Sequence, residues 1–478
     1  MKTKFKWLAV VMAVALIAAA CGGDEEEAEA PATTAAPATT AAPATTAAPA
    51  TTAAPEAEPM DDEEPMDDEM DMMIATDIGV DLDAGVIKVG MLSDLTGAFG
   101  GLVSLVVAGV NAYWADVNAQ GGVHGMEVEL VFRDTVYSVD NHVQFYEELK
   151  DEVVAFGHST GSPHTVAIRE DLEADGILAI PLTWYSGWSD PALNANLLSH
   201  GAPYCIEAMN MVGYLHDVLV AQGVDSPTMA VASFPGDYGL DSAEGAKLGA
   251  AALGLEVVYD GSGTIIPGQD NAPIGNAIAQ SGADIVWVTA NAATFTEVYG
   301  AAVSQGFEAV WSGAAPTWSP ALVAPDSPIK DAIARDFYPT IYFSPIIENN
   351  PGTEFLKELM ATYAPEVPLI DYVVEGFVEA MILHEVLNVA FENGDMTQSG
   401  MVAAAKSIAE IDFRGLAPSE SYVGGPNERL QRQIWINRPD PEALAAGTSP
   451  TGIRVIERAY THPIAADYVF EEACYKLS

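Results

Sequence analysis

Val86-Ile87-Lys88-Val89-Gly90-Met91-Leu92 is an apolar, β-branched run that reads as a buried strand, and the pattern downstream of it decides the fold. From Ser104 to Asn118 the apolar residues return at helical spacing, with Val107, Val110, Trp114 and Val117 on one side. Gly121-Gly122 stops that helix, and Val128–Phe132 reads as a second strand. The alternation continues with a helix over Val143–Leu149, a strand over Val153–Phe156, a helix over His164–Ala174 and a strand over Ile177–Ile180, closed by Pro181. After a break it resumes. Helices near Met211–Ala221, Leu240–Leu253, Ile274–Gln280 and Thr294–Gln305 alternate with strands over Thr228–Ser233, Glu256–Tyr259, Ile285–Thr289 and Ala309–Trp311. Two successive runs of this kind imply an α/β fold of two doubly wound, Rossmann-like lobes, each with a largely parallel sheet. Ligands of such sheets lie outside the carboxyl ends of the strands, which points to loops 93–101, 157–163, 182–190, 234–239, 290–294 and 312–319.

Composition narrows the class of partner. The 478 residues include 19 Lys+Arg against 68 Asp+Glu, a formal net charge of −49. A surface so acidic argues against gripping DNA or RNA, which needs clustered cations, and against attachment to anionic lipid by a basic patch. Apolar residues at 49% are enough for substantial cores. Three cysteines are too few for a disulfide-stapled scaffold or a four-cysteine zinc module. His158 and His164 lack a third ligand at metal spacing, and Gly97–Gly101 lacks the Gly-Lys-Ser/Thr of a phosphate loop, so neither a metal nor a cofactor is expected.

The amino terminus predicts an extracytoplasmic address. Lys2, Lys4 and Lys6 precede an apolar run from Trp7 to Ala20, short for a membrane span and suited to a signal-peptide core. Ala18-Ala19-Ala20-Cys21-Gly22 resembles a bacterial lipoprotein box, so residues 1–21 are expected to be a signal peptide with Cys21 lipidated and the protein held at the cell membrane. An ordinary secretory signal with Cys21 incidental is the alternative. Residues 22–84 read as a tether: Pro31, Pro37, Pro43, Pro49 and Pro55 recur every six residues, and the segment carries 18 acidic and no basic residues. Extended at about 3.1 Å per residue, it reaches at most ~200 Å.

Four short stretches then carry a resemblance. Ile87-Lys88-Val89-Gly90 with Asp94-Leu95-Thr96-Gly97 resembles the opening of type I periplasmic solute-binding proteins of the branched-chain amino-acid-binding family. Val117-Asn118-Ala119-Gln120-Gly121-Gly122-Val123-His124-Gly125 is similar to that family's Asn-x-x-Gly-Gly-Val-x-Gly turn. Asp237-Tyr238-Gly239 resembles its Asp-x-Tyr-Gly element, and Asp371-Tyr372 with the apolar helix through Leu387 its late first-lobe helix. The match runs in order over approximately residues 86–400. It implies a Venus-flytrap receptor with lobes 85–207 plus 340–420 and 208–339 plus 421–478, and a small solute (an amino acid, amide or related polar or aromatic compound) in the cleft. It further implies a monomer that delivers its solute to the permease subunits of an ABC importer, with no enzymatic activity. Closure results from a ligand that contacts both lobes only when the cleft shuts.

The resemblance assigns candidate residues. Phe99 occupies the first loop, where the family places an aromatic over the ligand. Thr160 and Ser162 fall in a loop whose hydroxyls and amides hold a ligand carboxylate. Thr183, Trp184 and Tyr185 stand in the family's small-residue and threonine loop; Tyr238 matches the second-lobe tyrosine, and Asn291 and Trp318 come after the next two strands. Where the family places a glutamate to pair with an amino group, this chain has Ala314-Ala315-Pro316. With Trp184, Tyr185, Trp188 and Trp318 nearby, that points to a flatter, apolar or aromatic solute, or to stacking on a sugar.

Two other readings stay open. Gly157-His158-Ser159-Thr160-Gly161 fits the nucleophile elbow of a serine hydrolase, for which Asp412 and His462 are available by chain order. The same lobes also suit a sensor or adhesin without transport. Cys205 and Cys474 remain once Cys21 is lipidated, and in an oxidising compartment they are expected to pair and fasten the carboxyl-terminal tail to a crossover.

Overall fold

The computed structural model describes residues 73–194 and 196–477. The signal peptide, Cys21 and the tether up to residue 72 lie outside the described residues.

The first sheet has four strands running parallel in the order Glu127–Asp134, Val86–Ser93, Ala155–Thr160, Ala179–Leu182, with the short Val80–Asp81 paired antiparallel to Val86–Ile87. Its longest pairing runs in register from Val86 opposite Glu127 to Ser93 opposite Asp134. The second sheet repeats the pattern: Glu256–Gly261, Thr228–Ser233, Ile285–Thr289, Val310–Gly313, and then Phe337–Tyr338. In both, the first of these strands in chain order sits between the second and the third, so connections leave in opposite directions at that point. The crevice this opens at the carboxyl ends is where doubly wound sheets bind ligands. A third, antiparallel sheet joins Thr340–Ile341, Ile434–Pro439 and Ile453–Tyr460.

Helices cover the sheets because their apolar residues find partners on more than one side. Gly100–Ala119 is apolar enough to cross a membrane by composition, yet it packs against Tyr372–Glu392, which returns to the first sheet from late in the chain. Gly109 and Gly376 make that crossing possible. A Cβ on Gly109 would meet the Val373 carbonyl, and one on Gly376 the Val106 carbonyl, so larger residues would force the helices apart. In the second lobe Phe295, Tyr299, Trp311 and Phe337 form a fully buried aromatic cluster with ring centroids 5.0–6.2 Å apart. Burial of each such ring contributes roughly 1.5–3 kcal/mol.

Two differences from the sequence reading have physical causes. Ala75–Thr76 pairs with Asp395–Met396 and Val80–Asp81 with Val86–Ile87, so the end of the segment read as tether is stitched into the fold by backbone hydrogen bonds. The third strand of the first sheet runs through Thr160 and not only to Phe156. His158, Ser159 and Thr160 are polar but buried, with their side chains hydrogen-bonded to one another's neighbours within the protein. A hydrophobic-run criterion stops too early there.

Cys205, at the start of helix Tyr204–Ala221, is disulfide-bonded to Cys474, with Cα atoms 6.3 Å apart. The tail it secures also donates the Cys474 amide to Ser186 Oγ (2.9 Å) and the Tyr475 amide to Asp241 Oδ1 (3.2 Å).

Candidate functional site

Between the sheets lies a cleft formed by two adjoining spaces. The smaller, about 40 Å³, is lined by Phe99, Tyr137, Thr160, Gly161, Ser162, Trp184, Tyr204 and Tyr238 with several aliphatic residues. The larger, about 310 Å³, is bordered by Leu105, Asn291, Trp318, Ile370 and Tyr372 among others. Phe99, Leu102 and Pro316 belong to both, so the two are continuous. Among the described residues, those lining either space carry no charge.

The loop after the first strand is built by two carboxylates. Asp94 accepts the amides of Gly97 (2.6 Å) and Phe99 (2.8 Å), while Asp134 accepts the Leu95 amide (3.0 Å) and the Thr96 hydroxyl (2.7 Å). Those Asp134 hydrogen bonds outweigh its partial desolvation and keep it below the usual carboxylate range. The loop holds Phe99 over the small pocket, 4.8 Å from Tyr137 and edge-on to Tyr238 at 6.2 Å. Tyr238 donates its hydroxyl to the Ala290 carbonyl (3.1 Å) and packs on Tyr204 at 4.9 Å. Burial holds the Tyr137, Tyr204 and Tyr238 hydroxyls above the ordinary tyrosine range, so all stay protonated.

One wall is polar. Strand Ala155–Thr160 ends in Gly161, whose φ of 95° only glycine adopts without strain, and helix Ser162–Asp175 starts there with no side chain capping it among the described residues. A helix start in this state offers amide hydrogens and the positive end of the helix dipole to an anion. Ser162 Oγ pairs with Thr183 Oγ1, and Thr160 Oγ1 lies 2.6 Å from His158 Nε2 and accepts the Asp94 amide at 3.4 Å.

The structure brings most of the candidates from the sequence together. Phe99, Thr160, Ser162, Trp184 and Tyr238 meet on the small pocket, and Phe99, Asn291 and Trp318 on the larger space. Thr183 sits behind Ser162 and reaches the cleft only through it. Tyr185 faces away: its ring packs edge-on to Trp188 at 5.1 Å and its hydroxyl donates to the Tyr475 carbonyl at 2.7 Å. The turn Ser186–Ser189 points both rings into the first-lobe core, where Asp241 holds the Ser186 amide and hydroxyl. Tyr137, Tyr204 and Pro316 also line the cleft, although no sequence signal singles them out. Tyr137 lies beyond the carboxyl end of the second strand, in a turn where Val136 and Tyr137 both take positive φ.

At Ala314-Ala315-Pro316 the backbone is held from below. Glu207 Oε1 accepts the Ala315 amide (2.9 Å), and the Tyr372 hydroxyl donates to the Ala315 carbonyl (2.7 Å). Burial raises Glu207 well above the carboxylate range, and it does not line the cleft.

The geometry around Ser159 is not that of a nucleophile elbow. Ser159 is fully buried inside the strand, with its Oγ 3.0 Å from His142 Nε2 and 2.9 Å from Thr165 Oγ1. His462 is elsewhere, its amide on Asn210 Oδ1 and its ring beside Asp217. The chain turns at Gly161, two residues past Ser159, so the hydroxyl is not lifted toward the cleft as an elbow nucleophile requires. His200, Glu375 and Glu379 place ligand-type atoms within 4.8 Å of one another, a set that matches a divalent cation by atom type. In the structure His200 pairs with Glu375, and Glu379 with His158.

The comparisons with known proteins agree with this architecture. A family model described as periplasmic binding protein matches residues 86–443. No curated protein sequence matches. A fatty acid ABC transporter substrate-binding protein from Thermomonospora curvata is 27% identical, with a TM-score of 0.74 over 83% of this chain and 97% of that one. A branched chain amino acid ABC transporter protein from Thermus thermophilus with bound valine is 20% identical, with a TM-score of 0.66 over 80% of this chain and 97% of that one. A solute-binding protein from R. palustris in complex with 4-hydroxybenzoate is 16% identical, with a TM-score of 0.64 over 79% of this chain and 98% of that one. The last two likenesses are of fold alone. With two sheets of matching topology facing one cleft, and the family model spanning most of its length, the chain belongs to the periplasmic binding protein family, as a type I substrate-binding protein of ABC transporters.

Proposed function

We propose that the protein captures an apolar carboxylic acid, fatty or aromatic, outside the cytoplasm and delivers it to an ABC permease from a lipid anchor on Cys21. The observation that carries this reading is a cleft lined by aromatic and aliphatic side chains that ends on Thr160, Gly161 and the open start of helix Ser162–Asp175. A carboxylate at that helix start meets amides, hydroxyls and the dipole, while its hydrocarbon part lies on Phe99, Tyr238 and Trp184. A free amino acid fits less well, because the lining offers no carboxylate to its ammonium group among the described residues. The names of two relatives, a fatty acid transporter protein and a 4-hydroxybenzoate complex, support the same class. A tether and lipid suit delivery by raising the local concentration of receptor at the permease.

The test is a thermal-shift and calorimetric comparison of octanoate, 4-hydroxybenzoate, leucine and valine. A binding acid at 100 times its Kd stabilises by about 2.7 kcal/mol. Stabilisation by either acid with inert amino acids supports the reading. Tight binding of leucine or valine with both acids inert overturns it.

A further inference from the structure

The larger space of the cleft adjoins a small polar cavity. Trp318, Ile370 and Tyr372 border that space and also a further cavity of about 10 Å³, whose wall carries Thr340, Asp371 and Asn437. Such a volume admits one atom the size of a water oxygen. Trp318 Nε1, Thr340 Oγ1 and Asn437 Oδ1 have no hydrogen-bond partner among the described residues, and all three residues are more than nine-tenths buried. We infer that the cleft is built for a hydroxy acid: the carboxylate meets the helix start at Gly161, and a distal hydroxyl enters this cavity, accepting from Trp318 and donating to Asn437. This rests on the carboxylic-acid reading above.

The types of the three groups select the guest. An indole N–H only donates. Asn437 turns Nδ2 to the Pro339 carbonyl (3.4 Å), which only accepts, so the atom it has left over is the acceptor Oδ1. The Thr340 hydroxyl can serve either way. Buried polar groups are ordinarily paired, and a lone donor beside a lone acceptor is complementary to a hydroxyl, which carries both functions. A methyl end leaves Trp318 and Asn437 unpaired, and a ketone or ether oxygen satisfies Trp318 alone.

Other contacts hold the three residues in place. The Trp318 ring stacks on Phe337 with centroids 6.0 Å apart, and its backbone amide donates to the Ala315 carbonyl at 3.1 Å. Thr340 sits on the strand that pairs with Ile434–Pro439, opposite Ile436, and the Asn437 backbone amide donates to the Pro339 carbonyl at 2.8 Å. Asp371 Oδ1 accepts the Ile346 amide at 2.9 Å, and no lysine or arginine lines the cavity among the described residues. A second carboxylate on the ligand would therefore meet Asp371 with no cation to offset it. A resident water satisfies the same three groups, and the hydroxyl of the ligand takes its place.

The experiment is calorimetric titration of the full-length protein with ω-hydroxyhexanoate, ω-hydroxyoctanoate and ω-hydroxydecanoate, each against its parent acid. A hydroxyl buried on an apolar wall without partners weakens binding by roughly fivefold to a hundredfold. At the chain length that reaches the cavity the hydroxy acid should instead bind about tenfold tighter than its parent. Thr340→Val and Trp318→Phe should each reduce that preference by about fivefold. Should either variant fail to fold, the ω-methoxy analogue of the preferred acid puts the same question to the unmodified protein, because a methoxy oxygen accepts but cannot donate, and the preference should vanish. The proposal alone is overturned if no hydroxy acid of the series outbinds its parent, if the preference is undiminished in either variant, or if the methoxy analogue keeps it. An ω-amino acid of that length bound more tightly than the hydroxy acid assigns the cavity to Asp371 and overturns it too. Absence of binding by every acid of the series, with leucine or valine bound instead, overturns the carboxylic-acid reading and the proposal with it.

Discussion

The third strand of each sheet ends in the same topological position and opens a helix onto the same cleft, yet the two turns are built for opposite jobs. In the first lobe Gly161 leaves the start of helix Ser162–Asp175 without a side-chain cap, and the buried residue behind it is a histidine paired with a glutamate. In the second, Asn291 accepts the Thr294 amide at 2.9 Å and closes its own helix Ala292–Val303, and the buried residue in the strand is Trp287. At these two turns the first lobe leaves a helix start without a side-chain cap, while the second caps its own start, and Tyr238, Pro316 and Trp318 face the cleft. Under the proposed function, the first lobe receives the head of the ligand and the second encloses its body.

The largest effect should come from the seam that joins them. Asp371, Asp237 and Asp241 are each raised by burial to about 7 and Glu420 to about 8, while Glu375 holds His200 up to about 9 against its burial. Groups whose folded pKa exceeds the unfolded value bind protons more tightly in the native state. Their stabilisation is complete below the unfolded pKa and is lost as pH rises through the folded one. Between about pH 6 and pH 9 the melting temperature should therefore fall, by on the order of 3–5 °C for a loss of about 3 kcal/mol. A melting curve that is level or rises over that window would show that these groups do not titrate as a buried seam. The disulfide belongs to the same seam, since Cys474 ties the tail to Cys205 beside Ser186 and Asp241. Cys474→Ser should cost about 2–5 kcal/mol in denaturant unfolding. A variant as stable as the parent would mean that the hydrogen bonds of the tail suffice.

Within the cleft the cover should outweigh the head. Tyr238→Ala removes the ring that meets Phe99 and Tyr204, and should weaken octanoate by about 2 kcal/mol, roughly thirtyfold. Unchanged affinity would mean the ligand never touches the second lobe there. Ser162→Ala should cost about 1–1.5 kcal/mol for octanoate and nothing for octanol, because it removes one donor from the polar end only. An equal loss for both would place Ser162 in packing and not in recognition of the head.

How much of the fold and site is legible in the sequence depends on whether burial and apolarity coincide. The alternation of strands and helices is visible from Val86 onward, because those strands are buried by hydrophobicity. The topology then sends Phe99, Thr160, Ser162, Trp184 and Tyr238 to one place, since they lie at or just beyond the carboxyl ends of strands. The histidine and glutamate behind Thr160 are not legible as a pair, because they meet across 221 residues of chain and only tertiary structure brings a helix residue under a strand. Tyr137 escapes notice because its place over the cleft depends on a left-handed turn that neither valine nor tyrosine signals. Tyr185 and Trp188 mislead in the other direction, since an aromatic in a loop is equally suited to the core once a short turn reverses the chain.

Asn291 gives the smallest effect and the sharpest test of the division between lobes. It borders the larger space, as the sequence leads one to expect of a ligand residue, but its side-chain oxygen is already engaged by the Thr294 amide. A side chain spent on a cap has little to give a ligand. Asn291→Ala should therefore lower stability by about 1 kcal/mol, as loss of a helix cap does, while the octanoate Kd stays within about twofold. Asn291→Asp should restore the stability, because a carboxylate caps equally well and favours the helix start. If Asn291→Ala instead weakens octanoate tenfold with stability intact, the second lobe also reads the polar head, and the contrast between an open and a closed helix start no longer explains where that head lies.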